Sequence, residues 1–99
     1  MEPRIPRVER VDILEAMRRY DQGCRPEHSG NATKHAVLSP TGRQYPPKAI
    51  ISLASGASPR EFSGGPESIR YLNNLGFNVI DLQTNAIVGR RVTEIRSAA

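Results

Sequence analysis

Tryptophan is absent from this chain of 99 residues, cysteine occurs once, at Cys24, and the aromatics number five: Tyr20, Tyr45, Tyr71, Phe62 and Phe77. A single cysteine excludes an intramolecular disulfide and a cysteine-based zinc site, and it fits a reducing, cytoplasmic setting. No apolar run approaches the roughly 20 residues that span a bilayer, and no basic start leads into an apolar core as in a signal peptide. Acidic residues are missing from one long stretch: between His28 and Arg60 stand Lys34, Arg43, Lys48 and Arg60, but no Asp or Glu.

What is present suits one modest core. The chain holds 14 basic and 10 acidic residues, net +4, and 12 of the basic residues are Arg. Arginine offers a planar fork suited to phosphate, carboxylate and guanine edges, although the bias can equally follow genome composition. A segment that combines cations, turns and helix starts is suited to receive phosphates, so DNA binding leads the functional readings.

The first ten residues, with Pro3 and Pro6, read as a flexible lead-in. Ile13, Leu14, Met17 and Tyr20 then recur at helical spacing; Asp12 and Glu15 have the offset of a capping box, Glu15 and Arg19 form a pair four apart, and Gly23 ends the helix. Residues 23 to 34 are polar and read as a loop. Ala36, Val37 and Leu38 form a short strand, Pro40, Thr41 and Gly42 a turn, and Arg43 to Tyr45 the returning strand of a hairpin.

Pro47 suits the first position of a helix running to about Ser55, with Ile50, Ile51, Leu53 and Ala54 inward and Gly56 at its end. After a loop from Ala57 to Gly65, Pro66 opens a helix with Ile69, Leu72 and Leu75 at its core, closed by Gly76. Phe77, Val79, Ile80 and Leu82 read as a buried strand. The expectation is an α+β domain over residues 11–82, in the order helix, hairpin, helix, helix, strand, with a small antiparallel sheet. Residues 83–99 remain open between a last strand, a short helix and a linker.

Four strings stand at these positions: Tyr20-Asp21-Gln22-Gly23, Tyr45-Pro46-Pro47-Lys48-Ala49-Ile50, Glu61-Phe62-Ser63-Gly64-Gly65 and Leu75-Gly76-Phe77-Asn78-Val79. In this order and spacing they resemble the N-terminal head domain of ScoMcrA-like restriction endonucleases. Those enzymes combine an HNH nuclease module with modules that recognise modified DNA, such as methylated cytosine or phosphorothioate backbone. The resemblance implies an accessory domain that binds or organises DNA in antiphage defence, with duplex DNA and the HNH nuclease as partners. Between Gly23 and Lys34 the chain departs from the family, which often carries a more hydrophobic, partly aromatic segment there.

Candidate contacts each have a structural alternative. In Ser63-Gly64-Gly65, before the helix, glycine backbone, free N–H groups and the hydroxyls of Ser63 and Ser68 suit a phosphate, or else the loop merely caps the helix. Lys48 sits in the first turn of its helix, where the dipole disfavours a cation unless an anion is near; the alternative is an ion pair with Glu61 or Asp21. Tyr45 can stack on a base, or serve as a half-buried strand residue. Arg43 at the hairpin tip, flanked by Lys34, suits a wing entering a groove, and Arg70 with Asn74 shares one helix face.

No metal-ligand spacing, His-Asn-His arrangement or serine elbow is found, so neither catalysis nor a cofactor or metal is expected of this chain. Two rivals to phosphate binding stay open. One is an interaction or dimerisation module of the nuclease. The other is a reader of a modified base, which needs an aromatic cage.

Overall fold

Proline and glycine divide the chain where its helices begin and end. Of the three helices among the described residues, two start with proline as their first residue, where the missing N–H is no loss, and glycine follows each of these within two residues. The computed structural model describes residues 6–26, 34–62 and 65–88. Within them the elements are α1 (Arg10–Asp21), β1 (His35–Leu38), β2 (Gln44–Tyr45), α2 (Pro47–Ser55), a 3-10 turn (Pro59–Glu61), α3 (Pro66–Asn74), β3 (Val79–Asp81) and β4 (Ile87–Val88).

The expected α+β class and element order stand, with two additions. Pro59–Glu61 forms a 3-10 turn inside the expected loop, held by Ser58, whose hydroxyl accepts from Arg60 N at 3.2 Å while Ser58 N donates to Glu61 Oε1 at 3.2 Å. Ile87–Val88 forms a fourth strand, the first of the alternatives left open for the tail; the tail beyond Val88 lies outside the described residues. The sheet order is β2-β1-β3-β4, with every neighbouring pair antiparallel. In register, Val37 faces Tyr45 on one side and Val79 on the other, so β1 is central and both of its edges are filled.

The core lies between the helices and this sheet. Ile13 of α1, Ile50 and Ile51 of α2, Leu72 of α3, Val37 of β1 and Val79 of β3 are each completely buried. The helical period therefore predicted the inward faces correctly, with Leu14, Tyr20, Leu53, Ala54, Ile69 and Leu75 half-buried around them. Phe62 and Phe77 also pack inward.

Two details of α1 differ from expectation. Its N-cap is Glu9, whose N–H donates to Asp12 Oδ2 at 2.8 Å, so Asp12 closes the box as its acidic member instead of opening it. Glu15 pairs with Arg18 instead of Arg19, through Arg18 Nε to Glu15 Oε1 at 3.0 Å, which holds the carboxyl below its usual range. Arg19 instead reaches α2, where its Nη1 donates to the Leu53 carbonyl at 3.4 Å. Three and four residue spacings are both neighbours on a helix, and tertiary contact decides between them.

Two long-range contacts hold the segment from Pro6 to Arg10 that leads into α1. Tyr71 donates its hydroxyl to the Pro6 carbonyl, and Arg10 Nη1 donates to the carbonyls of Leu75 and Gly76, both at 3.1 Å. Arg10 also lies over the Phe77 ring, 4.5 Å from its centroid. A cation at the end of α3 matches the negative pole of that helix.

Candidate nucleic-acid interface

The turn between β1 and β2 is bound closely to Ser39. Ser39 N donates to Arg43 O at 2.9 Å, Gly42 N donates to Ser39 O at 2.9 Å, and Ser39 Oγ accepts from Arg43 N at 3.1 Å. Arg43 therefore leaves a rigid turn with its side chain 67% exposed, its Nη2 3.4 Å from Asp21 Oδ1 at the end of α1. An exposed pair of this kind contributes little to stability and is screened by salt, so the guanidinium is readily given to another anion. Lys34 is exposed just before β1, and its carbonyl accepts from Leu82 N at 2.8 Å.

Tyr45 faces the interior. It is 4% exposed, its ring meets Tyr20 edge-on with centroids 5.8 Å apart, and its hydroxyl donates to Asp21 Oδ2 at 2.8 Å. Burial, then the bond to Asp21, push its hydroxyl pKa upward. A base cannot stack on this ring without unpacking the core, so of the two readings of Tyr45 the geometry fits the strand residue.

Lys48 is the second residue of α2 and half-buried. Neither expected carboxylate pairs with it: Glu61 accepts from Ser58 N, and Asp21 is engaged by Tyr45 and Arg43. Its Nζ instead stands 5.7 Å from the centroid of the buried Phe62 ring, within cation–π range. This brings Lys48 beside the start of the glycine loop. Ser63 and Gly64 lie outside the described residues.

Gly65 is the N-cap of α3, and its carbonyl accepts from Ile69 N at 3.0 Å. Ser68 is 0% exposed, so its hydroxyl lies in the interior. Arg70 and Asn74 are exposed on α3, and Arg60 is exposed on the 3-10 turn. Two of these cations thus have a placed neighbour: Arg43 stands beside Asp21 at the end of α1, and Lys48, at the start of α2, lies over Phe62.

Arg25, exposed after α1, is a candidate that residue spacing does not single out. Its guanidinium carbon lies 3.5 Å from the centroid of the Tyr20 ring, and its Nη1 donates to Tyr20 O at 2.7 Å and Cys24 O at 3.0 Å. The signal in the sequence is an arginine five residues after a helix-ending tyrosine, within a segment that reads as loop.

Among the described residues no three His, Cys, Asp or Glu side chains gather to hold a metal ion, and no helix is long and apolar enough to cross a membrane. Comparison with curated proteins finds no match, and comparison with solved structures finds none either. The sequence model of one family does match, over residues 6–81: the ScoMcrA-like N-terminal head domain. That family suggests a role in a restriction-system, DNA-binding context. The match covers most of the chain and contains all three helices and the strands β1 to β3, so this chain belongs to the ScoMcrA-like N-terminal head domain family.

Proposed function

We propose that the chain is a non-catalytic, accessory DNA-binding domain of a modification-dependent restriction system, holding duplex DNA mainly through phosphates. The observation that carries this reading is the acid-free stretch from Lys34 to Arg60: Lys34, Arg43 and Arg60 are exposed, Lys48 is half-buried at a helix start, and no carboxylate interrupts them in sequence. A cation at a helix N-terminus opposes the dipole, and a bound phosphate relieves both charges. Contacts are assigned to Lys48, Arg43, Lys34, Arg70 and the backbone of the Ser63-Gly64-Gly65 loop. The partner in the system is an HNH nuclease, carried on the same or a neighbouring chain.

A base-reading role has less support. Tyr45, Phe62 and Phe77 are buried, and Tyr20 is occupied by Tyr45 and Arg25. The aromatic surface that a flipped base requires is therefore small.

The test is fluorescence anisotropy of the domain with one short duplex prepared unmodified, cytosine-methylated and phosphorothioated, across a salt series. Neutralising four to six phosphates gives a log–log salt slope of roughly −4 to −5, similar for all three duplexes. A salt-insensitive complex overturns the phosphate reading, and preference for one duplex restores the base reader.

A second reading, an interaction module within the nuclease, rests on two large apolar side chains left in solvent: Val11, 63% exposed, and Ile87, 53% exposed on the edge strand β4. It requires concentration-dependent association without DNA. Light scattering that shows a monomer at every concentration removes self-association.

A further inference from the structure

Arg25 is more constrained than an arginine that only neutralises a helix end. The negative pole of α1 is satisfied by any cation nearby, yet this guanidinium is stacked 3.5 Å from the centroid of the Tyr20 ring and pinned by one terminal nitrogen to two carbonyls, at 2.7 and 3.0 Å. Stacking and pinning remove rotamer freedom before a ligand arrives, which lowers the entropic cost of binding. The two N–H bonds of Nη1 serve the carbonyls of Tyr20 and Cys24. Nε–H and the two Nη2–H bonds have no hydrogen-bond partner among the described residues. Nε and Nη2 form one edge of the fork, the edge that matches two oxygens of a phosphate.

The same end of α1 carries Arg43, through a chain of contacts. Tyr20 packs edge-on against Tyr45 at 5.8 Å, Tyr45 donates to Asp21 Oδ2 at 2.8 Å, and Asp21 Oδ1 stands 3.4 Å from Arg43 Nη2. Tyr20 and Asp21 are consecutive residues, so one helix end holds one arginine by its ring and the other by its carboxylate. Both guanidinium groups are on exposed residues. Both carboxylate oxygens of Asp21 are engaged, which blunts its repulsion of an approaching anion.

We infer that Arg25 and Arg43 form a two-arginine clamp for the phosphodiester backbone of DNA, with Tyr20 and Asp21 as positioning residues. The inference rests on the DNA-binding reading and gives it a contact residue outside the acid-free stretch. Base identity plays no part in the clamp, so it acts alike on modified and unmodified duplex.

The experiment compares wild type with Arg25→Ala and Arg25→Gln in the same anisotropy salt series, alongside thermal melts. Losing one phosphate contact lowers the magnitude of the salt slope by about 0.9 and the affinity by about eightfold at 0.1 M salt. Arg25→Gln keeps an amide that can donate to the carbonyls while removing the charge, so it gives the same binding loss with a smaller shift in melting temperature. Arg25→Lys keeps the charge and retains the slope. Wild type that fails to bind at low salt defeats the DNA-binding reading and the clamp with it. Wild type that binds with a steep slope, beside a folded Arg25→Gln of unchanged slope and affinity, defeats the clamp alone.

Discussion

The Tyr45 hydroxyl and the Asp21 carboxylate, 24 positions apart, meet at 2.8 Å and join the hairpin to the end of the first helix. The bond uses a buried donor and a charged acceptor, a stronger combination than a neutral pair. It explains why a tyrosine occupies a strand position whose ring is almost wholly buried. It also determines how Arg43 is held, because the second oxygen of Asp21 is the one facing Arg43.

Tyr45→Phe retains the ring and removes the bond, so it lowers unfolding stability by about 1–2 kcal/mol in urea melts. The folded state raises the pKa of this hydroxyl, chiefly by burial and next by its bond to Asp21. Its contribution is therefore complete below the unfolded tyrosine value of about 10 and is lost as pH rises through the higher folded value. Tyr71 is shifted the same way, mainly by burial. Melts from neutral to alkaline pH should show Tyr45→Phe reducing the alkaline loss without abolishing it, and an unchanged pH profile would refute the linkage.

Gly76 adopts φ +90°, and a Cβ there meets Arg10 Nη1 at 2.7 Å. Gly76→Ala therefore carries the left-handed penalty of about 1–2 kcal/mol and also forces Arg10 off the carbonyls that it caps. Gly56 has φ +83° with open space around it, so Gly56→Ala carries only the backbone penalty. Thermal melts should rank Gly76→Ala as the more damaging, and the difference should shrink in an Arg10→Ala background, where the clash is gone.

Lys48 separates packing from charge. Lys48→Met keeps an aliphatic stem over Phe62, and Lys48→Ala removes both stem and charge. If Lys48 contacts phosphate, both variants reduce the salt slope by about 0.9 and weaken all duplexes alike. The alanine variant alone should then lose further thermal stability. Equal slopes for wild type and both variants would assign Lys48 to packing on Phe62.

Ser68 gives the opposite pattern. Its side chain is fully buried, so Ser68→Ala acts on the core, at about 1 kcal/mol, and leaves the salt slope of DNA binding unchanged. A changed slope in a stably folded Ser68→Ala protein would return this hydroxyl to the interface.

The helices were legible because their signals are local. Pro47 and Pro66 supply a preset φ at positions where an N–H is unnecessary, Gly56 and Gly76 supply the positive φ that ends a turn, and the apolar period selects the inward side. The hairpin was legible from Pro40-Thr41-Gly42 between the apolar Ala36-Val37-Leu38 and the short returning segment Arg43 to Tyr45. The 3-10 turn at Pro59–Glu61 carried a readable Ser-x-x-Glu cap, but three residues give no period to detect.

The site was less legible, because side-chain roles depend on distant partners. Lys48, Tyr45 and Arg43 are all close in sequence to the hairpin. Only the packing of α1 against α2 and the hairpin turns Tyr45 inward, draws Arg43 to Asp21 and leaves Lys48 over Phe62. The same packing sets Tyr45 edge-on against Tyr20, the ring on which Arg25 lies.

What the sequence by itself determined is thus the α+β class, the order and limits of most elements, the acid-free stretch and the family strings, all of which follow from residue type and short-range spacing. The tertiary structure decided that β1 lies between β2 and β3, that Tyr45 and Ser68 are interior, and which cations share a partner. The reason is physical: backbone preference is set within a few residues, whereas burial and charge pairing are set by neighbours that the fold brings from tens of positions away.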